Sequence, residues 1–109
     1  MTRRIRMRET ESDRQRRIAD FLMAHGCIVL FNGSSKMDAF AARIAGAPKS
    51  NKGSPDLIVA LPGGKTAWLE TKSPGGKQSP AQADWQRALE AIGHLYLVVY
   101  DVKDVEGLV

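Results

Sequence analysis

The sequence predicts a single α/β domain in which a small mixed β-sheet is flanked by helices. Apolar residues recur at helical spacing in two stretches, one after Thr10 and one after Ser79. Two short apolar runs, Leu57–Leu61 and 67–69, lie on either side of a Pro/Gly-rich turn and are typical of adjacent antiparallel strands. The second run, the helix after Ser79 and the apolar run 95–100 form a strand–helix–strand unit, which predicts a parallel pair. A chain of 109 residues has room for one such domain.

The first helix is predicted to begin after the N-cap residue Thr10 and to end near Gly26. Its core-facing stripe contains Ile18 and Leu22, and Glu11 lies at the polar end of the same stripe. A glutamate in this position can face an active site, or it can complement the partial positive charge at the helix N-terminus. The pattern leaves these two roles open.

A strand is predicted next at 27–31, with Cys27 as a buried apolar residue. Residues 36–53 fit no single pattern, because 39–45 reads either as a short helix or as an irregular strand. Basic residues recur across this stretch, which is therefore either a solvated loop or a wall that touches nucleic acid.

Charged residues gather at one end of the hairpin that contains Leu57–Leu61. In a hairpin the start of the first strand lies beside the end of the second, so Asp56 should lie near Glu70 and Lys72. Thr71 should point to the opposite face. Two carboxylates with room for water suit a hard divalent cation such as Mg²⁺, and a neighbouring lysine can orient a water or stabilise a phosphate transition state. The alternative is a surface ion pair at a strand end.

The second helix is predicted from a capping box, with Ser79 as the N-cap, Pro80 at the first helical position and Gln82 at the third. The capping box alone explains Gln82. The apolar stripe of this helix is predicted to continue to about Ile92 and to place Trp85 in the core rather than in a base-stacking platform.

The C-terminal part of the chain is predicted from composition. The run 95–100 is rich in Val, Leu and Tyr, which predicts a buried strand. Asp101 is then expected to cap a short turn at 102–108.

Positive charge is concentrated at the N-terminus. Residues 1–17 contain seven arginines and three acidic residues, whereas the rest of the chain is balanced. We predict a basic flexible arm at residues 1–9 ahead of one domain at 10–109. Arginines of this kind fit the phosphates of nucleic acid, but a solvated arm or a protein contact explains them as well.

The composition also bears on the compartment. No apolar run approaches the length of a membrane span, and no apolar stretch follows the charged N-terminus as in a secretory signal. Cys27 is the only cysteine, so an intrachain disulfide cannot form and a structural zinc site is not expected. We therefore expect an intracellular, cytoplasmic protein that does not bind a membrane.

Two short motifs carry a resemblance to a known family. Pro55-Asp56 and Glu70-Thr71-Lys72 resemble the PD-(D/E)xK nuclease motif. The Gly-rich turn at 73–78, the Ser-Pro-x-Gln sequence at 79–82 and the helix with Trp85 are similar to the VRR-NUC branch of that superfamily. The resemblance implies a restriction-endonuclease-like core, which agrees with the element order above.

The resemblance also implies a metal site. Its ligands for Mg²⁺ or Mn²⁺ would be the carboxylates of Asp56 and Glu70 and the backbone carbonyl of Thr71, with Glu11 as a further candidate. The implied catalytic residues are Glu11, Asp56, Glu70, Lys72 and Gln82. The basic residues expected to contact DNA are Arg3, Arg4, Arg6, Arg8, Arg14, Lys49, Lys52 and Lys77.

These residues predict a metal-dependent DNA endonuclease. The domain has little surface for reading bases, which favours a structure-selective enzyme that cuts branched, junction or flap DNA. VRR-NUC domains that occur alone resemble homodimers, so a homodimer is expected. The alternatives are a non-catalytic nucleic-acid binding module with a vestigial site and a small structural domain. Neither alternative explains two carboxylates that face a polyanion.

Overall fold

The computed structural model describes residues 9–32 and 52–109. The predictions for the N-terminal arm before Glu9 and for the segment 33–51 therefore lie outside the described residues. The described elements, in chain order, are α1 (Glu11–Ala24), β1 (Ile28–Phe31), β2 (Leu57–Leu61), β3 (Lys65–Thr71), α2 (Pro80–Ala91), β4 (Leu95–Val99) and a 3-10 helix (Val102–Leu108).

The four strands form one mixed sheet in the order β1-β2-β3-β4. The pairs β1–β2 and β2–β3 are antiparallel, whereas β3 and β4 are parallel because α2 connects them as a crossover. This arrangement confirms the predicted fold class, a small mixed sheet with flanking helices.

Both long helices begin at the predicted N-caps. The Thr10 hydroxyl accepts a hydrogen bond from the Asp13 backbone N–H, and the Asp13 carboxylate accepts one in return from the Thr10 N–H. Ser79 and Gln82 form the same reciprocal pair at the start of α2. Each box satisfies backbone donors that the first helical turn leaves without a partner.

The two faces of the sheet are covered by different helices. On one face, Ile18 and Leu22 of α1 pack against alternate strand residues, including Leu57 and Val59, and the 3-10 helix adds Val105. On the other face, Trp85 and Leu89 of α2 pack on Tyr96, Trp68 and Val98. Successive strand residues point to opposite faces, so each helix receives every second side chain. Trp85 and Cys27 are buried, as predicted.

Two predictions about burial were wrong. Ile92 is 73% exposed, because α2 ends at Ala91 and Ile92 lies in the turn, with Gly93 at φ +92, that leads into β4. The strand predicted as buried at 95–100 is the edge strand β4, and both Leu95 and Tyr100 are exposed. Its composition is that of a central strand, but its position in the sheet leaves only Tyr96 and Val99 buried.

No helix in the part of the chain that the structure describes has the length and apolar character needed to cross a membrane.

Candidate active site

The hairpin formed by β2 and β3 brings two carboxylates together. Leu57 pairs with Leu69, and the same register continued by one residue places Asp56 opposite Glu70. The Asp56 carboxylate lies close enough to Glu70 for its charge to raise the pKa of Glu70. The structure thus brings together the pair that the sequence pattern predicted, at the end of the sheet where β3 runs into the loop before α2.

Thr71 holds Asp56 in place. Its backbone N–H and its hydroxyl both donate to the Asp56 Oδ2 atom, at 2.8 and 2.9 Å. Strand alternation assigned the Thr71 side chain to the face opposite Glu70, and this side chain is indeed buried, at 1% exposure. Asp56 lies just before β2 begins, and its carboxylate is therefore free to bend toward Thr71 on the neighbouring strand. The hydrogen bond from the Thr71 hydroxyl to Asp56 was not predicted, because the family resemblance implies a role for the Thr71 backbone carbonyl only.

Glu70 is buried and incompletely satisfied. Its side chain is 3% exposed, its Oε2 atom accepts a 2.8 Å hydrogen bond from Gln82, and its Oε1 atom has no hydrogen-bond partner among the described residues. Burial, followed by the charge of Asp56, raises the pKa of Glu70 to about 8. Without a cation, the Glu70 carboxyl is therefore expected to keep its proton near neutral pH.

Gln82 connects α2 to this carboxylate. Its Oε1 atom accepts from the Ser79 backbone N–H at 2.7 Å, which completes the capping box. That bond fixes the orientation of the side-chain amide, so its NH₂ group is directed at Glu70, 2.8 Å away. One side chain therefore both starts the helix and positions the carboxylate.

Lys72 and Glu11 act on Glu70 through their charges. The Lys72 ammonium lowers the pKa of Glu70, and the Glu11 carboxylate raises it. Both effects are smaller than the increase that burial causes. The backbone N–H of Lys72 donates to the Val99 carbonyl at 2.9 Å, which anchors the end of β3 to β4. Glu11 is exposed and accepts a 3.4 Å hydrogen bond from Gln15. Both residues predicted around the carboxylate pair are thus near enough to influence it.

The segment before Asp56 is held against α2. The indole N–H of Trp85 donates to the backbone carbonyl of Lys52 at 3.1 Å. Gly53 has φ +81, and a Cβ atom there would lie 2.6 Å from the backbone carbon of Ala81. Only glycine allows this approach without strain. The packing fixes the start of β2, and with it Asp56, relative to the helix that carries Gln82.

The residues present fit a divalent cation with a small protein ligand set. In the described ranges, no group of three or more His, Cys, Asp or Glu side chains is arranged to hold a metal. The pair Asp56 and Glu70 nevertheless offers a buried oxygen without a partner and two like charges that a cation would neutralise. Mg²⁺ commonly keeps several waters and takes only one or two carboxylates from a protein.

The residues expected to contact DNA are only partly described. Lys52 and Lys77 are exposed. Arg14 differs from the expected exposed patch, since it is 7% exposed and its Nε atom lies 3.5 Å from Glu9. Arg17 is paired with Glu9 and Asp101, so much of the positive charge of α1 is already balanced. The remaining predicted contacts lie outside the described residues: Arg3, Arg4, Arg6, Arg8 and Lys49.

Fold and site together define a small α/β domain with a carboxylate pair, of which Glu70 is buried, at one end of a mixed sheet. No protein-family model matches the chain. A solved structure described as a VRR_NUC domain superposes with a TM-score of 0.67, at 25% sequence identity, over 90% of this chain and 91% of that one. These findings support the predicted resemblance: the chain is similar in fold, over nine tenths of its length, to a VRR-NUC domain.

A phage protein is similar in sequence over a shorter part of the chain than the solved structure. The proposed nuclease p44 of Acyrthosiphon pisum secondary endosymbiont phage 1 is 40% identical over 57 residues, which is 52% of this chain and 60% of that protein. The matched region thus spans less than two thirds of the phage protein.

Proposed function

We propose that this protein is a metal-dependent DNA endonuclease that hydrolyses phosphodiester bonds. The observation that carries the proposal is the pair Asp56 and Glu70, in which a buried carboxylate oxygen has no partner and Lys72 lies close enough to shift the pKa of Glu70. The VRR-NUC fold and the similarity to a phage protein named as a nuclease support the same activity.

Asp56, Glu70 and the Thr71 backbone carbonyl would hold Mg²⁺ or Mn²⁺, with Glu11 as a further candidate ligand. When bound, such an ion polarises a phosphate oxygen and lowers the pKa of a water. Thr71 keeps Asp56 in position through its N–H and hydroxyl, and Gln82 does the same for Glu70.

Lys72 supplies the positive charge beside this pair. Its ammonium orients the attacking water or stabilises the negative charge that develops on the phosphate. The backbone bond to Val99 fixes the chain at this residue, so the ammonium extends from an anchored position.

The substrate is proposed to be branched, junction or flap DNA, cut by a homodimer with two sites. A two-fold dimer matches the symmetry of a four-way junction, which needs two cuts. Sedimentation at micromolar concentration, with and without DNA, tests the assembly. A monomer under both conditions would contradict it.

Cleavage assays with and without a divalent cation test the activity. Nicked, flapped and four-way-junction DNA are incubated with the protein in Mg²⁺, Mn²⁺, Ca²⁺ or EDTA. We expect cleavage with Mg²⁺ or Mn²⁺ and none with EDTA. DNA binding without cleavage under every condition would favour the non-catalytic binding module, and the absence of both would favour a structural domain.

Two substitutions at Gln82 separate its roles in helix capping and in the site. Glutamate in its place still accepts from the Ser79 N–H but puts a third carboxylate against Glu70, whereas alanine removes both contacts. We expect Gln82→Ala to lower thermal stability through loss of the cap, by about 1 kcal/mol. Gln82→Glu should keep the cap and still reduce cleavage at least tenfold. Wild-type cleavage by Gln82→Glu would show that Gln82 serves only the helix.

Deletion of the N-terminal arm tests its contact with DNA. Residues 1–8 contain four arginines and no acidic residue. We expect the truncated protein to keep its thermal stability and to bind DNA more weakly, with a less steep dependence on salt. Each lost phosphate contact should reduce the log–log salt slope by about 0.9. An unchanged slope would mean that the arm does not touch DNA.

A further inference from the structure

Arg14 is a buried arginine whose environment does not fully satisfy it. Its side chain is 8% exposed, and its one ion pair joins Nε to the Glu9 Oε1 atom at 3.5 Å, beyond the distance of a good hydrogen bond. Among the residues that the structure describes, none accepts a hydrogen bond from its guanidinium. Arg17 binds both Glu9 oxygens at 2.9 and 3.0 Å, so the carboxylate that pairs with Arg14 is shared.

Arg14 lines a cleft between the start of α1 and the loop that follows β3. This cleft has a volume of about 600 Å³ and is lined by Glu9, Thr10, Glu11, Arg14, Ser73 and Pro74. Arg14 is the one cation among these lining residues. Ser73 directly follows Lys72, and Glu11 acts electrostatically on Glu70, so the cleft adjoins the carboxylate pair.

We propose that Arg14 binds a DNA backbone phosphate that flanks the one to be cut. This inference rests on the proposed nuclease function and assigns a subsite to it. Taking a guanidinium out of water costs several kcal/mol, and one long ion pair to a shared carboxylate does not offset that cost. A phosphate would accept two parallel hydrogen bonds from the planar guanidinium.

The charges that line the cleft permit an anion there. The lining carries the charges of Glu9, Glu11 and Arg14, and Arg17 pairs with Glu9 from the outer side, so these four charges sum to zero before DNA binds. Ser73 adds a hydroxyl donor at the other wall. A strand held at Asp56 and Glu70 carries further phosphates on either side of the one to be cut, and the cleft that Arg14 lines adjoins that pair.

Single neutral phosphates in the DNA provide the test. Nicked duplexes, each with one methylphosphonate at a different position near the nick, are bound to wild-type protein in EDTA. We expect one position at which the neutral group weakens binding about tenfold, the loss typical of a charged hydrogen bond. Arg14→Gln should bind unmodified DNA about tenfold more weakly and should show no further loss at that position.

Arg17→Gln is the matched control, since Arg17 contacts the same glutamate from the exposed side. It should retain the wild-type methylphosphonate profile. If Arg14→Gln does not fold, Arg14→Lys decides the question, because lysine keeps the charge but loses the paired hydrogen bonds and should show a weakened response at the same position. A wild-type profile in the folded Arg14 variant would overturn the proposal and leave Arg14 a structural residue.

The outcomes also separate this proposal from the nuclease activity. DNA binding with the expected profile but without cleavage in Mg²⁺ would remove only the catalytic assignment. Cleavage with no effect of Arg14 on any phosphate would remove only the subsite. A wild-type protein that binds no DNA would overturn both.

Discussion

Glu70→Gln should abolish cleavage while leaving the protein folded and able to bind DNA. The substitution keeps the size of the side chain but replaces a carboxylate ligand with a neutral amide. Lys72→Ala should abolish cleavage for a different reason, because the ammonium that stabilises the transition state is lost while both carboxylates remain. Removal of one such electrostatic group commonly costs about 10²–10³-fold in rate.

Paired measurements distinguish these two losses. Cleavage is followed in Mg²⁺ and Mn²⁺, and DNA binding is measured in Ca²⁺ and in EDTA. We expect Lys72→Ala to retain cation binding and Glu70→Gln to lose it. Above about pH 8, where Glu70 is ionised, Glu70→Gln should bind DNA at least as tightly as wild type in EDTA, since it lacks a negative charge near the phosphate.

Glu106→Gln is a suitable control, because Glu106 is an exposed carboxylate in the 3-10 helix, a different element from the site. It should cut at the wild-type rate. A wild-type rate in either Glu70→Gln or Lys72→Ala, in a preparation without contaminating nuclease, would remove the active-site assignment. The non-catalytic binding module would then be the better interpretation.

The carboxylate pair was predictable because the hairpin has a short turn. Leu61 pairs with Lys65 across that turn, and counting back along both strands leads directly to Asp56 and Glu70. The N-caps were predictable for a similar reason, since a capping box depends on residues three apart. Local spacing therefore determined both the fold class and the centre of the site.

Contacts between distant elements were not predictable in this way. The hydrogen bond from Gln82 to Glu70 depends on how close α2 lies to β3, and the capping box already explained Gln82 without it. Exposure of the run 95–100 was missed because composition does not show that β4 is an edge strand.

One misplaced residue did carry a signal in the sequence. Arg14, Ile18 and Leu22 lie at i, i+4 and i+8, so Arg14 continues the buried stripe of α1. Because of its charge, Arg14 was predicted to contact DNA together with the arginines of the N-terminal arm. Its helical spacing instead indicates a buried position in the core-facing stripe. Helical periodicity deserved more weight than charge at this position.

Metal-free protein should become less stable as the pH rises from about 5 to about 9, because of Glu70. The unfolded carboxyl has a pKa near 4.5 and the folded one a pKa of about 8, so the folded state binds more protons between these values. Stability must then fall as the pH rises through this window. One pKa unit corresponds to about 1.4 kcal/mol, so the full loss is of the order of a few kcal/mol.

The difference between wild type and Glu70→Gln isolates this effect, since other titrating groups cancel. Urea unfolding in EDTA should show Glu70→Gln gaining stability relative to wild type as the pH rises, with most of the gain complete by about pH 9. Addition of Mg²⁺ at that pH should raise the free energy of unfolding of wild type but not of Glu70→Gln, because only wild type keeps the carboxylate pair. The Glu106→Gln control should follow wild type in both experiments. Parallel curves for wild type and Glu70→Gln would mean that Glu70 is ionised in the folded protein without a cation, and that the pair with Asp56 is solvated rather than buried.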